Sequence, residues 1–283
     1  MSPLPYIINL AGTGLVPTHS MNPHVPLSHD EIVDDVARCL ELGVQIVHLH
    51  ARDKDGHHSA DPERYGRLIE AIRMLPGGRE VILCVSTSGR QDASFESRAR
   101  VLELDGLMKP DMASLTLSSL NFIQQASINP PQTIRRLAQR MLEQGIRPEL
   151  EIFDLGMANF LQVLIREGLV VGPFYANLLL GNIAGAQVDE LQLAVMRSLL
   201  PDGAVCSVAG IGRQQLRANM MGLLSADGVR VGLEDNLWMD TGRTELADNP
   251  KLIQRIKRIA AELERPLADC SAVRQRLGLA GLS

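Results

Sequence analysis

Two histidines one residue apart, in Val47-His48-Leu49-His50, close a β-branched apolar run and are followed at once by Ala51-Arg52-Asp53. Residues two apart in a strand leave the same face, so both imidazoles project side by side where a buried strand meets a polar loop. Paired imidazoles on a rigid strand make half of a site for zinc, copper, iron or nickel. The alternative is two histidines satisfied by ordinary hydrogen bonds, which their shared face and position at the strand's end disfavour. A catalytic zinc site takes three protein ligands and keeps one position open, often with two His and a carboxylate. Glu234, at the end of Val229-Arg230-Val231-Gly232-Leu233, is the best third ligand. Glu151 and Asp154 compete for the place, and His19 in Pro17-Thr18-His19-Ser20 could ligate, contact substrate or lie exposed. His57-His58 stands in a Lys/Asp/Gly-rich loop and reads as solvated. His48 itself is expected at the strand's end, outside the packed core.

The elements that must position these groups repeat along the chain. Strands are expected at 6–11, 43–50, 80–86, 112–117, 150–154, 175–180, 204–209 and 229–233. Helix-period segments fall between them. The first opens at Ser28-His29-Asp30-Glu31, a capping box, and the second at Asp61-Pro62-Glu63, with Pro in its first turn. Others are expected at about 94–105, 131–144, 157–168, 187–200, 213–225 and 249–264, with a short last one near 269–277. Continuously apolar strands alternating with such helices specify parallel pairing through crossovers. A closed (β/α)8 TIM barrel is the economical answer, and about 250 residues suffices for one. The 283 residues are therefore expected to form one domain, 1–283, with a short C-terminal helical extension from about 265. A doubly wound open sheet would need a Gly-x-Gly-x-x-Gly turn after the first strand, which is missing for a dinucleotide.

Composition narrows the class. A net charge of −5 with no basic run, and aromatics at 3%, argue against a nucleic-acid surface. No stretch approaches the apolar length of a membrane span, and Met1-Ser2-Pro3-Leu4-Pro5 lacks the basic start of a signal peptide. Cys39, Cys84, Cys206 and Cys270 are widely spaced and read as reduced core thiols. A cytoplasmic protein is expected.

In a parallel barrel the active site lies at the C-terminal strand ends, and those ends are polar here. They carry His48, His50 and Arg52; Ser86 through Arg90; Thr116; Glu149, Glu151 and Asp154; and Arg230, Glu234, Asp235 and Asn236. Gly210-Ile211-Gly212-Arg213 follows the seventh strand, where backbone N–H groups at a helix start bind phosphate in many barrels. Gly210, Gly212 and Arg213 are thus candidates for a phosphate or pyrophosphate, against the plainer reading of a tight turn.

Taken in order, these segments resemble the β-keto acid cleavage enzymes. The resemblance runs through Ile46–Asp53, Asp61–Tyr65, Val85–Gly89, Met112–Leu115, Asn121-Phe122, Pro148–Asp154, Gly210–Arg213 and Val229–Asn236, nearly the whole chain. It implies a zinc-dependent barrel that reacts a β-keto acid with acetyl-CoA, giving acetoacetate and a new CoA thioester. It implies one Zn2+ on His48, His50 and Glu234, in agreement with the spacing. It also implies substrate contacts at Ser86, Gly89 and Thr116, a catalytic pair in Arg230 and Asp235, an active-site acid in Glu149, and a homotetramer. The lysine-fermentation branch of the family carries an acid after the first strand to read an amine, where this chain has Gly12-Thr13-Gly14-Leu15-Val16. A neutral or anionic substrate tail is therefore expected, with His19 as its polar contact. A metal-dependent aldolase or decarboxylase acting without CoA, and a metabolite-binding barrel without turnover, are the rival readings.

Overall fold

The computed structural model describes residues 4–279. Its strands Ile7–Ala11, Ile46–Leu49, Ile82–Val85, Met112–Thr116, Arg147–Ile152, Tyr175–Leu180, Val205–Gly210 and Gly228–Val231 close into a parallel barrel. Each strand neighbours the next in sequence, and the eighth returns to the first, pairing Asn9 with Arg230 while Ala11 pairs with His48 of the second strand. The single TIM-type barrel expected from the alternation of elements is the fold.

Local chemistry sets the helix starts. Ser28 accepts from the Glu31 N–H while the Glu31 side chain accepts from the Ser28 N–H, so the first helix, His29–Glu41, opens with the full capping box. Asp61 caps the second helix, Pro62–Arg73, through the Glu63 N–H, and Pro62 occupies a position with no donor to lose. The third crossover departs from expectation. It is a short helix, Phe95–Ala99, tightened into a 3₁₀ turn over Arg100–Glu103. The fifth strand, expected at 150–154, runs from Arg147 to Ile152; its start carries Arg147, Pro148 and the inward Glu149, which no hydrophobicity pattern marks as strand. A ribbon pairing Leu120–Asn121 with Ala126–Ser127 overhangs the barrel mouth and was too short for periodicity to reveal.

The apolar interior has two parts. Outward-facing strand residues such as Leu10, Val47, Leu83, Leu115 and Leu150 pack beneath the helices in one continuous core. A smaller cluster inside the barrel joins Ile7, Ile46, Ile82, Met112, Tyr175 and Val205, and Val273 and Leu277 complete it. The C-terminal helix Cys270–Arg276 therefore plugs the barrel floor, with Arg274 and Arg73 both paired to the buried Asp111 at 2.7 and 2.8 Å. Above this plug the interior turns polar: Asn9, His48, Cys84, Glu149, Asn177 and Arg230 are all buried.

One buried amide ties the ends of the first and eighth strands together. Asn249 donates to the Gly12 carbonyl at 3.1 Å and to Asp35 at 2.6 Å, and accepts from the Leu233 N–H at 2.9 Å. It therefore ties the backbone beside Glu234 to Gly12 and Asp35, which lie far away in sequence. Burial raises the Asp35 carboxyl to about 6, against the opposing pull of the Asn249 hydrogen bond and the Arg38 guanidinium. A carboxyl raised in the folded state carries no penalty below its ordinary pKa, and the penalty grows as pH rises through the folded value. Asp35→Asn keeps an acceptor for Asn249 and removes that penalty. Urea unfolding should show the variant more stable than the parent by about 1–3 kcal/mol at about pH 8, with the gain fading below about pH 4. A gain that grows toward acid would contradict this assignment.

Candidate metal centre and active site

His48 and His50 do leave the second strand on one side. Their Nε2 atoms lie 3.2 Å apart. Glu234 completes the cluster, with Oε1 3.3 Å from His50 Nε2 and Oε2 4.0 Å from His48 Nε2. One ligand atom from each of the three falls within 4.8 Å of the others. The Glu234 Oε2 atom is buried without a hydrogen-bond partner, as an unfilled ligand position would be. Two imidazole nitrogens and a carboxylate oxygen are a donor set suited to zinc, so the residues fit a divalent metal.

Two glycines make the approach of Glu234 possible. At Gly232, φ is +154° and a Cβ would lie 2.0 Å from the Ala11 carbonyl oxygen, so any side chain would push the eighth strand off the first. That closeness lets the Glu234 N–H bond the Ala11 carbonyl at 3.0 Å. Gly14, at φ +70°, lies against Glu234, where a Cβ would meet Cγ at 2.6 Å. The loop after the first strand thus backs the third ligand.

His48 is 2% exposed, which corrects its expected place outside the packed core. The interior itself is polar at this level, and the ring is held from behind. Its Nδ1 lies 2.6 Å from Glu149 Oε2, while Glu149 Oε1 accepts from Asn9 and Asn177, each at 2.7 Å. With Nδ1 directed at a carboxylate, Nε2 is the atom turned to the cluster. Burial would raise Glu149, but the charge and hydrogen bond of His48, then Arg230 and Asn9, bring it down to about 2. Burial likewise opposes a charge on His48, and Glu149 with Glu234 outweighs it, lifting the imidazole to about 9. At His50 burial wins and its pKa falls.

Arg230 is the cation of the site. Its Nε and Nη2 reach Asp235 at 3.1 and 3.4 Å, Nη2 reaches Glu234 at 2.9 Å, and Nη1 reaches Glu151 at 3.3 Å. Burial raises Asp235 to about 6 despite Arg230, with Glu234 adding to the rise. Asp235 faces the cavity that holds the His48–His50–Glu234 cluster, a space of about 470 Å³ also lined by Ser86, Thr116, Glu151 and Arg230. A carboxylate held by a guanidinium beside a metal cluster can accept a proton from a bound acid.

The remaining expected site residues divide. Ser86 lines the cavity, with its Oγ 3.2 Å from the Ser88 N–H. Thr116 lines it too, though its hydroxyl donates to Glu151 at 2.6 Å. Gly89 is buried beneath Arg98, whose Nη1 would lie 2.8 Å from a Cβ there, so its neighbours Ser88 and Arg90 face the cavity instead. His19 is a correction: it stands 3.4 Å from Glu31 in a separate cavity of about 650 Å³, between the first helix and the loop after the second strand. Arg52 separates it from the metal cluster by bonding the Gly14 and Pro17 carbonyls. The Gly-rich phosphate loop is a second correction. Gly210 is required where the Gln214 carbonyl oxygen and Ala218 press on the strand, and the Gly212 N–H is spent on the Asp235 carbonyl at 2.6 Å. Of that segment only Ile211 lines the cavity, and Arg213 is exposed. Asp154 caps the helix Leu155–Arg166 through the Met157 N–H and is no ligand of the cluster. His57 is solvated as expected, but His58 is half-buried with its ring edge-on to His50, 5.7 Å between centroids. Arg90 and Phe122 on the cavity wall carried no sequence signal beyond their position after strands.

Glu149→Gln should preserve the shape behind His48 and remove the charge. Its affinity for a divalent metal is expected to fall about 10–100-fold, measured by competition with a chromophoric chelator. Unchanged affinity would show that the ligand histidine does not depend on this carboxylate.

Comparison with known proteins agrees with the geometry. Residues 5–279 match the family model described as beta-keto acid cleavage enzyme. The chain is 36% identical over 279 residues to the 3-oxoadipate:acetyl-CoA acetyltransferase of Cupriavidus necator, spanning 97% of this chain and 95% of that one. It is 33% identical over 275 residues to the 3-keto-5-aminohexanoate cleavage enzyme of Fusobacterium nucleatum, spanning 96% and 97%. Among solved structures it superposes on apo ObcA with a TM-score of 0.79 at 20% identity, over 91% of this chain and 66% of that chain, a likeness of fold. Among the described residues no helix is long and apolar enough to cross a membrane. Barrel, strand-end cluster and relatives converge: this chain is an enzyme that belongs to the β-keto acid cleavage family.

Proposed function

We propose that this enzyme transfers the acyl group of a β-keto acid to CoA at the expense of acetyl-CoA, releasing acetoacetate, with one zinc ion per chain on His48, His50 and Glu234. The observation that carries this reading is the carboxylate of Asp235, clamped by Arg230 at the mouth of the barrel beside the three-ligand cluster. The activities named for two relatives, a 3-oxoadipate:acetyl-CoA acetyltransferase and a 3-dehydrocarnitine:acetyl-CoA trimethylamine transferase, pair a keto acid with acetyl-CoA and support it. The free cysteines suit the reducing cytoplasm, and a homo-oligomer, a tetramer as in the family, is the assembly proposed.

When bound, the metal would supply Lewis-acid stabilisation of negative charge at the substrate's ketone oxygen. Asp235 takes the proton from the carbon between the ketone and the carboxylate, and Arg230 orients it. Ser86, with the backbone around Gly89, holds the substrate carboxylate. The resulting carbanion attacks the acetyl carbon of acetyl-CoA and expels CoA thiolate. The thiolate adds to the original ketone carbon, and the carbon–carbon bond breaks. The departing fragment recovers the proton from Asp235 as acetoacetate, and the new thioester remains on CoA. Glu149 stays ionised and touches no reacting atom, so its part is to position His48. Arg213, exposed beside the seventh strand's end, is the group on that segment left to meet a CoA phosphate.

Incubating the purified protein with acetyl-CoA and a panel of β-keto acids, and following acetoacetate, tests the reaction. Acetoacetate that depends on both substrates supports it. Cleavage without CoA would favour an aldolase or decarboxylase, and tight binding without turnover a metabolite-binding barrel. Metal analysis should return one zinc per chain, and His48→Ala should lose both metal and turnover. Asp235→Asn should keep the metal and lose about 10²–10⁴-fold in kcat. Near-normal kcat in that variant would move the proton transfer to another group.

A further inference from the structure

The cavity holds a second guanidinium that the proposed reaction does not use. Arg90 lies after the third strand on the cavity wall, and its guanidinium carbon sits 3.6 Å from the centre of the Phe122 ring. Phe122 is in turn braced edge-to-face by Phe153, at 5.8 Å and 88°. Stacking on a ring fixes the plane of a guanidinium while leaving its edge donors free. No acid forms an ion pair with Arg90 among the described residues, and its Nε is buried without a partner. The nearby acids are engaged elsewhere, for Arg230 draws Glu151, Glu234 and Asp235 to itself. Burial lowers the Arg90 pKa, and those three carboxylates oppose the fall only from a distance. To the same cavity the loop after the first strand contributes Leu15 and Val16, with no carboxylate, and the ribbon contributes Ile123. An ammonium here would face a fixed cation, and the carboxylates of the cavity are held by Arg230. A carboxylate would find oriented donors in a largely desolvated setting, where such a bond is strong.

We propose that Arg90, seated on Phe122, is the specificity-determining residue for the far end of the substrate, and that it selects β-keto acids bearing a second carboxylate on their tail. The inference rests on the β-keto acid reading of this cavity and replaces His19, which lies outside it, as the polar contact of the tail.

Binding tests it independently of turnover. Matched β-hydroxy acids, which cannot undergo the cleavage, would carry a carboxylate, a carboxamide or an ammonium at the far end. Titration calorimetry would use the metal-loaded protein, Arg90→Met and Arg90→Lys. The parent should bind the carboxylate-tailed acid about 10–100-fold more tightly than the amide-tailed one, and the ammonium-tailed one least. Arg90→Met should collapse the carboxylate-to-amide ratio toward one, and Arg90→Lys should retain part of it. A ratio near one in the parent, or one unchanged in Arg90→Met, overturns the proposal. So does an equal loss for all three acids, which would place Arg90 on the carboxylate they share. Turnover of the corresponding amide-tailed keto acid with acetyl-CoA reports on the reaction alone. Absence of turnover with this acid and with its carboxylate-tailed counterpart alike would sink the β-keto acid reading, while the binding ratio still decided the role of Arg90.

Discussion

A single buried guanidinium among four carboxylates governs the barrel mouth. Arg230 lies within 4.0 Å of Glu149, Glu151, Glu234 and Asp235. A charge removed from water is tolerated only when it is paired, and here one cation must serve two acids from the fifth strand and two from the loop beyond the eighth. The planar fork of arginine meets this demand because its donors diverge in fixed directions, which the point charge of a lysine could not imitate. Even so, the negative charge exceeds what Arg230 supplies. A divalent cation at His48, His50 and Glu234 would reduce that excess, so the metal would answer an electrostatic need as well as a catalytic one.

The polar layer depends on closure of the barrel. The eighth strand must approach the first closely enough for Glu234 to meet two histidines that extend from the second. Gly232 permits this, Asn249 locks the adjoining backbone to Gly12 and Asp35, and Gly14 receives the Glu234 side chain. The apolar plug beneath, completed by Val273 and Leu277, leaves the upper interior free for hydrogen-bonded groups. Glu149 then joins Asn9, His48 and Asn177 across the barrel, and so couples the orientation of a metal ligand to three other strands. Such a network restricts motion of the ligand at the cost of burying several polar groups, among which Asn9 Oδ1 has no hydrogen-bond partner in the described residues.

The cavity is electrically divided. Its deep end holds the acids around Arg230, and its wall carries Arg90 on Phe122 without an acid of its own. A substrate that is anionic at both ends and reactive in the middle matches that division. The acid side would manage proton transfer, and the isolated cation would read the tail.

Much of this was legible in the sequence because it is local. Ser28 and Glu31, or Asp61 and Pro62, announce helix starts through bonds spanning a few residues. The period of two across His48 and His50 already places both imidazoles on one face. The alternation of apolar runs with helices sufficed for a parallel barrel, and the order of motifs for the family. What the chain alone could not decide lay in contacts across the barrel or in competition for a single donor. Arg147, Pro148 and Glu149 hid a strand beginning because charged residues and a proline ahead of an apolar run leave it without a strand pattern. Gly210 and Gly212 have the composition of a phosphate loop, yet helix packing requires one and the Asp235 carbonyl occupies the other. His19 and Arg90 look equally available on paper. Only the folded chain sets one beside Glu31 in a separate cleft and the other on Phe122 in the cavity of His48, His50 and Glu234, because side chains far apart in sequence become neighbours when the strands close.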